Sequence, residues 1–365
     1  MAHIVLDARI INSTTGRYME RLLHHLQDID TVNHYSVLLL AKDIDYWKPR
    51  VDNFKVVIAD FAQYSLAEQT GLKRLLDSLS PDLVHFMMPQ QPVLYGGRHV
   101  TTIHDLTLLR TVNSDKNPLV YRFKQTIGWF VFKRVIQNSI AIITDAEFTK
   151  NELAAFSKTS IGKTTAIHLA AEQSHGPARP YSLPFKRYIM YVGQQSDYKN
   201  IPRLAAAHQK LLNTHPDLGL VLVGKKNAGI RRNEELFAQK GYKNIHFTDF
   251  VADDQLAWLY QHTDCYVFPS LMEGFGLPSL EAMGYGAPVA SSNASCLPEI
   301  NGKAAHYFDP LDIDDMARAV SEVIDDAGLR ASLIAHGKTQ FKKYSWRKTA
   351  EQTHAVYMKA LQAKD

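Results

Sequence analysis

Short apolar, β-branched runs alternate along this chain with longer stretches of helical period. In the first half the runs fall at 3–7, 35–40, 55–59, 83–86, 99–103 and 141–144, and segments 18–27, 66–79 and 119–137 carry apolar residues at three- and four-residue steps. The runs have the length of buried strands and the longer segments that of amphipathic helices. The second half repeats the scheme, with runs at 188–192, 220–223, 245–249, 265–268, 288–290 and 306–308 and helical segments such as 202–212 and 254–262. Strands alternating with helices predict parallel sheets.

Between the halves, segment 176–184 holds three prolines and a glycine in nine residues, the composition of a linker. The pattern therefore predicts an N-terminal domain over 1–175, a linker over 176–186 and a second domain over 187–344. A last amphipathic helix over 345–365 is expected outside the second sheet or packing back toward the N-terminal domain. The resulting α/β architecture is two Rossmann-like domains facing across a cleft, with ligands at the C-terminal ends of the strands.

Composition narrows the function classes. The 365 residues suffice for two cores, and 45% apolar with 21% charged residues is ordinary for a folded protein. Lys and Arg number 41 against 37 Asp and Glu, spread almost evenly over both halves, which argues against a dedicated nucleic-acid binder. Two cysteines, Cys265 and Cys296, are too few for a disulfide framework or a thiolate metal site. The N-terminal stretch has no basic and apolar leader pattern, and no window approaches 18 apolar residues, so a cytoplasmic setting is expected.

The most informative stretch runs from Phe268 to Met283. Strand 265–268 leads into a loop bracketed by Gly274 and Gly276, and Pro278 suits the first helical position. Residues 275–279 are then expected to present backbone N–H groups at a helix N-terminus, where a phosphate meets unsatisfied donors and a positive dipole end. Glu273 in the loop and Glu281 on the helix would accept hydrogen bonds from sugar hydroxyls. Spacing alone leaves this reading level with a bland one, in which Glu281 favours the helix dipole and Glu273 is merely solvated.

These residues resemble the signature of retaining GT-B glycosyltransferases of glycosyltransferase family 4, in which two glutamates eight positions apart flank a Gly-Phe-Gly loop. The similarity continues through 286–293, 295–300 and 304–310, and through Thr15–Tyr18, Thr102–Leu106 and Glu147–Lys150, in family order over nearly the whole chain. The resemblance implies a GT-B fold in which the N-terminal domain binds the acceptor and the C-terminal domain the nucleotide sugar. It implies that Glu273 contacts donor-sugar hydroxyls, that Glu281 holds the ribose, and that Phe275, Gly276 and Leu277 bring N–H groups to the sugar and diphosphate. His104 matches a histidine beside the transferred sugar, with Asp105 orienting its turn.

Gly16 matches a residue whose missing Cβ lets the backbone approach the diphosphate, although Thr15-Gly16 alone is also an ordinary strand-to-helix turn. Lys199 matches a cation that neutralises the diphosphate after Gly193 and the second domain's first strand. Tyr198 stands where Arg is usual in the family, and Gln194 where many relatives have a second Arg. Lys225, Lys226, Arg231 or Arg232 are the expected compensating cations.

No Gly-x-Gly-x-x-Gly follows the first strand, which counts against a dinucleotide oxidoreductase. Residues 161–164 end like a phosphate-binding loop, but Ser157 stands where its first glycine is required. There is no Asp-x-Asp and no clustered metal-ligand spacing, so neither a metal nor a cofactor is expected beyond the nucleotide diphosphate sugar itself. Segment 121–134 mixes aromatic and basic residues. It reads as a core-facing helix in preference to a peripheral contact with the inner membrane face. Cys296, beside the expected nucleotide site, is a candidate for thiol reagents.

The resemblance favours a hexosyltransferase of bacterial polysaccharide assembly, with GDP-mannose as first donor and a saccharide or lipid-linked saccharide as acceptor. The alternatives are a catalytically silent accessory subunit that binds nucleotide or glycan, and a nucleotide-sugar epimerase of the same fold.

Overall fold

The computed structural model describes residues 1–13, 15–110, 118–174 and 176–363. Side chains at 108, 110, 118–125 and 127 lie outside that description. Chain contacts divide into two units, Met1–Leu169 with Ser345–Asp365, and Ala170–Tyr344.

Unit 1 is a seven-stranded parallel sheet: β1 (His3–Asp7), β2 (His34–Leu39), β3 (Phe54–Ile58), β4 (Leu83–Phe86), β5 (His99–Ile103), β6 (Ala141–Thr144) and β7 (Thr164–Ala166), in the order β3-β2-β1-β4-β5-β6-β7. Helices α1 (Gly16–Ile29), α2 (Lys73–Leu79), α3 (Thr107–Arg110), α4 (Pro118–Asn138) and α5 (Glu147–Phe156) connect the strands. The central strands are buried over their whole length, which explains why they appear as unbroken apolar runs. Ile103 is paired with Thr144, and this register sets the next residues, His104 and Asp145, abreast at the sheet's C-terminal edge. The C-terminal helix Trp346–Gln362 packs on α1. Its Tyr357 meets His85 of β4 at 2.5 Å, and His354 meets Asp30 at 2.9 Å. Of the two expected placements, packing back on the N-terminal domain is the one these contacts give, and a position outside the second sheet is corrected.

Unit 2 is a six-stranded parallel sheet of β8 (Arg187–Val192), β9 (Leu218–Val223), β10 (Ile245–Phe247), β11 (Cys265–Phe268), β12 (Val289–Ser292) and β13 (Ala305–Phe308), ordered β10-β9-β8-β11-β12-β13. Its helices are α6 (Ile201–Leu211), α7 (Ala228–Gln239), α8 (Asp253–His262), α9 (Leu277–Gly284), α10 (Leu297–Asn301), α11 (Ile313–Asp325) and α12 (Ala327–Phe341). Strand order reverses between β8 and β11 here, and between β1 and β4 in unit 1. The crevice at such a reversal is where doubly wound sheets bind ligands.

Residues 170–174 and the proline-rich segment also differ from expectation, since both are tied to unit 2. Gln173 Nε2 donates to Gly284 O at 2.6 Å, the Ser174 N–H donates to Tyr285 Oη at 2.6 Å, and Arg179 Nε reaches Asp254 at 2.9 Å. Composition signals a loop here, while these hydrogen bonds decide which unit holds it.

Segment 121–134 splits. Phe132, Val135 and Ile136 of α4 are buried, but Trp129 and Phe130 are 48% and 63% exposed. Exposed Lys133 and Arg134 follow one turn later, with Lys133 Nζ 4.8 Å from the Trp129 ring centre. The core reading holds for one face of the helix and fails for the other. The side chains at 121–125, which contributed to the aromatic and basic pattern, fall outside the described residues.

Candidate active site

The loop after β11 is built to leave backbone donors available. Gly276 has φ of +96° and precedes α9, whose first two residues are Leu277 and Pro278 and which has no side-chain cap. In this unit α6, α8 and α10 share that open start, whereas α7, α11 and α12 are capped by Asn227, Asp312 and Asp326. A Cβ on Gly276 would lie 2.8 Å from Leu297, so both conformation and space require glycine. The expected donor set is narrower than 275–279: Pro278 has no N–H, and the Ser279 N–H donates to Gly276 O at 3.2 Å. Donors left at this terminus come from the residues before Pro278. The Phe275 ring is buried edge-on against Tyr344, with centres 5.5 Å apart, so its side chain anchors the loop.

Glu273 and Lys199 meet at this end of the sheet. Lys199 Nζ donates to Glu273 Oε1 at 2.6 Å, with only 15% and 11% of the side chains exposed. Burial pulls the Lys199 ammonium toward neutrality, but the Glu273 charge outweighs it and holds the pKa well above the ordinary lysine value. The Glu273 N–H donates to Ser295 Oγ at 3.1 Å, and its carbonyl accepts Cys296 Sγ at 3.2 Å. Cys296 is fully buried by this contact, which corrects the expectation of a thiol open to reagents.

Lys199 sits on the turn Asp197–Lys199, which follows β8. Gly193 ends that strand with φ of +141°, and its N–H donates to Val223 O at 2.9 Å. Asn200, left-handed at φ of +62°, pins the corner by donating to Pro269 O at 3.0 Å and Pro310 O at 2.7 Å. Tyr198 supplies an aromatic face where Arg was the familiar residue: Lys199 Nζ stands 5.0 Å from its ring centre. Arg232, one of the expected compensators, reaches Asp197 Oδ1 at 2.7 Å, whereas Lys226 pairs with Glu234 at 3.1 Å. Arg203, which pattern reading missed, donates to Asn200 Oδ1 at 2.9 Å at the same corner. Its position one helical turn after Lys199 was the available signal. Glu281 lies on α9, where Tyr260 Oη donates to its Oε2 at 3.5 Å.

In unit 1, His104 follows β5, the turn's Asp105 Oδ1 accepts the Thr107 N–H at 2.8 Å, and Thr149 Oγ1 donates to His104 O at 3.5 Å. His104 Nδ1 pairs with Asp145 Oδ2 at 2.8 Å and Nε2 with Met87 O at 3.1 Å. Burial lowers the basicity of His104, yet the Asp145 carboxylate prevails and raises its pKa above the ordinary value. Gly16 opens α1, and a Cβ there would fall 1.6 Å from Ile11 O. The close approach this glycine permits is to the chain's own loop.

One group of side chains near enough to share a metal ion occurs among the described residues: His24, His25 and Asp28 on α1. Pattern reading did not anticipate it. Asp28 is engaged by Arg50 at 3.1 Å. No helix among the described residues is long and apolar enough to cross a membrane.

Residues 182–340 match the family described as Glycosyl transferases group 1. The O-antigen chain mannosyltransferase B of Escherichia coli is 28% identical over 273 residues, covering 71% of this chain and 70% of the relative. The serotype-specific mannosyltransferase WbdA of Escherichia coli is 33% identical over 213 residues, covering 56% of this chain but only 26% of the relative. The sucrose-phosphate synthase (tll1590) from Thermosynechococcus elongatus superposes with a TM-score of 0.77 at 19% identity, covering 100% of both chains, a likeness of fold. The two parallel α/β units and the superposition give the GT-B fold, residues 182–340 match the group 1 glycosyl transferases, and the chain resembles bacterial mannosyltransferases.

Proposed function

We propose that the chain transfers a hexose, with retention of configuration and without a metal ion, from a nucleotide diphosphate sugar to a hydroxyl of a saccharide or lipid-linked saccharide. GDP-mannose is the first donor to test, because the relatives above are named mannosyltransferases. The observation that carries the proposal is the Lys199–Glu273 pair beside the uncapped start of α9, at the strand-order reversal of unit 2. An ammonium and helix-terminal N–H groups suit a diphosphate, while carboxylates suit sugar hydroxyls.

In this reading Glu281 holds the ribose, and Phe275, Gly276 and Leu277 offer backbone to the diphosphate and sugar, with Gly193 turning the chain after β8 and Tyr198 flanking the ammonium. Gly16 lets the loop after β1 close tightly onto the start of α1. His104 donates a hydrogen bond to the transferred sugar. The bond from C1 to the β-phosphate oxygen breaks with its electron pair going to that oxygen, and the acceptor oxygen bonds to C1 on the same face. The acceptor proton passes to the departing phosphate. Lys199 and the α9 terminus stabilise the charge that develops there, the usual largest contribution to such catalysis.

Thermal unfolding with GDP, UDP, dTDP and ADP tests the donor half. A ligand at about 100 times its Kd adds ~2.7 kcal/mol, a shift of several degrees. One nucleotide is expected to stabilise the protein, and Glu281→Ala to blunt that response. Equal responses in both proteins would remove Glu281 from the ribose site. Tyr198 in place of Arg supports the second reading, a silent accessory subunit. Failure of every sugar nucleotide to turn over, together with a large gain on Tyr198→Arg, would favour it.

The outward face of α4 supports peripheral contact with an anionic membrane surface, because Trp129 and Phe130 stand one turn before Lys133 and Arg134. Co-sedimentation with phosphatidylglycerol vesicles, lost in Trp129→Ala/Phe130→Ala, is expected. Equal recovery with neutral phosphatidylcholine vesicles would contradict the contact.

A further inference from the structure

We infer that Asp145 is a positioning residue for His104: it holds Nδ1 so that the opposite Nε2–H is the donor offered to a substrate oxygen, with the Met87 carbonyl as its resting acceptor. This deepens the glycosyl-transfer reading and rests on it. Met87, His104 and Asp145 follow β4, β5 and β6, three neighbouring strands of unit 1, at the edge where such sheets bind ligands.

The protons follow from the partners. Met87 O can only accept, so Nε2 at 3.1 Å carries a hydrogen. Asp145 Oδ2 at 2.8 Å shares the second ring proton with Nδ1. A neutral ring with its proton on Nδ1 would turn the Nε2 lone pair against the Met87 carbonyl, so that tautomer is excluded. Asp145 is 3% exposed, and its other oxygen, Oδ1, is buried with no hydrogen-bond partner among the described residues. The hydrogen bonding of this carboxylate is thus directed at His104, and leaving one oxygen unsatisfied is costly unless the remaining bond has a use.

The ring is clamped on its flank by Tyr18, edge-on at 5.0 Å between centres, and Tyr18 Oη is itself 3.1 Å from Thr102 Oγ1. The His104 side chain keeps about 15% exposure. A sugar hydroxyl that replaced Met87 O would exchange one acceptor for another. The groups facing the pair are Asp105 on the same turn, His85 on β4, His168 after β7 and Tyr18 on α1. Of these, the two carboxylates Asp145 and Asp105 favour the charged ring, and burial opposes it.

The test is the titration of ¹⁵N-histidine-labelled protein by NMR, run beside donor kinetics, for wild type, Asp145→Asn, His104→Ala and the double variant. In wild type the His104 nitrogens are expected to remain both protonated above pH 6.5. In Asp145→Asn the ring should titrate at lower pH, and kcat should fall roughly tenfold to hundredfold with little change in donor KM, the loss expected of one charge-assisted hydrogen bond. Activity should decline at a lower pH than in wild type, and Asp145→Asn should cost nothing further in the His104→Ala background. A wild-type ring that titrates at or below pH 6.5 overturns the inference without any variant. So does an Asp145→Asn loss that persists undiminished without His104. The NMR arm needs no turnover, so a failure of the glycosyl-transfer reading appears separately, as no product from any donor with the ring titration intact.

Discussion

Removing Lys199 should damage the protein in two separable ways. Its Nζ lies 2.6 Å from Glu273 Oε1 in a setting that leaves 15% and 11% of the two side chains exposed. At an effective dielectric of about 20, two unit charges at that distance attract with about 6 kcal/mol, before either ion's desolvation cost. Desolvation offsets much of that gain, so the pair as a whole adds little stability, whereas deleting one partner strands the other at a cost of ~3–5 kcal/mol. Lys199→Ala and Glu273→Ala should therefore each lower the melting temperature of unit 2 by roughly 6–20 °C, at about 2–4 °C per kcal/mol for a unit of this size. The double variant should recover most of this loss. Activity should behave differently: Lys199→Ala should reduce kcat/KM roughly tenfold to hundredfold through lost phosphate stabilisation, and the double variant should recover none of it. The assay is a double-mutant cycle read by calorimetry and by donor turnover on the same four proteins. Additive melting temperatures would refute the buried-pair reasoning, and activity restored in the double variant would refute a role for Lys199 in the reaction.

Three further outcomes follow from unit 1. Arg9 is buried, with Nε 2.8 Å from Asp7 and Nη2 2.9 Å from Glu68, so Arg9→Met should cost ~3–5 kcal/mol in urea unfolding; a loss under about 1 kcal/mol would contradict the triad's role. Gly16→Ala should destabilise the start of α1 because the new Cβ would fall 1.6 Å from Ile11 O, and an unchanged melting temperature would show that the loop yields freely. His85 is fully buried and its pKa is pushed down to about 3 by burial, then by His104. The unfolded chain therefore binds a proton below pH 6.5 that the folded one refuses, and stability should fall with decreasing pH from 6.5 toward 3, by up to about 1.4 kcal/mol per pH unit from this group. His85→Gln should flatten that slope in a pH series of urea titrations, and an identical slope would remove His85 as its source.

Much of the fold was legible because buried parallel strands need unbroken apolar runs. Segments 3–7, 83–86, 99–103, 141–144 and 265–268 coincide with β1, β4, β5, β6 and β11. The edge strand β7 did not announce itself: Thr164–Ala166 is three partly exposed residues beside a glycine, with no apolar face to mark it. The unit boundary was also hidden, since long-range hydrogen bonds from Gln173, Ser174 and Arg179, rather than composition, attach 170–186 to unit 2. At the candidate site, the glycines and the paired glutamates were visible as a spacing. That Glu273 is met by Lys199 from 74 positions away was not, nor that strand register sets Asp145 beside His104. Those pairings depend on strand order, which a linear pattern does not encode.

In the proposed reaction the configuration is retained and the site needs no metal. The direct measurement is time-resolved NMR of the anomeric carbon in the first product formed from GDP-α-mannose and an α-mannoside acceptor, with EDTA present. An α-linked product at an undiminished rate in chelator, lost in Lys199→Ala, is expected. A β-linked first product, or activity abolished by EDTA and restored by a divalent ion, would contradict it.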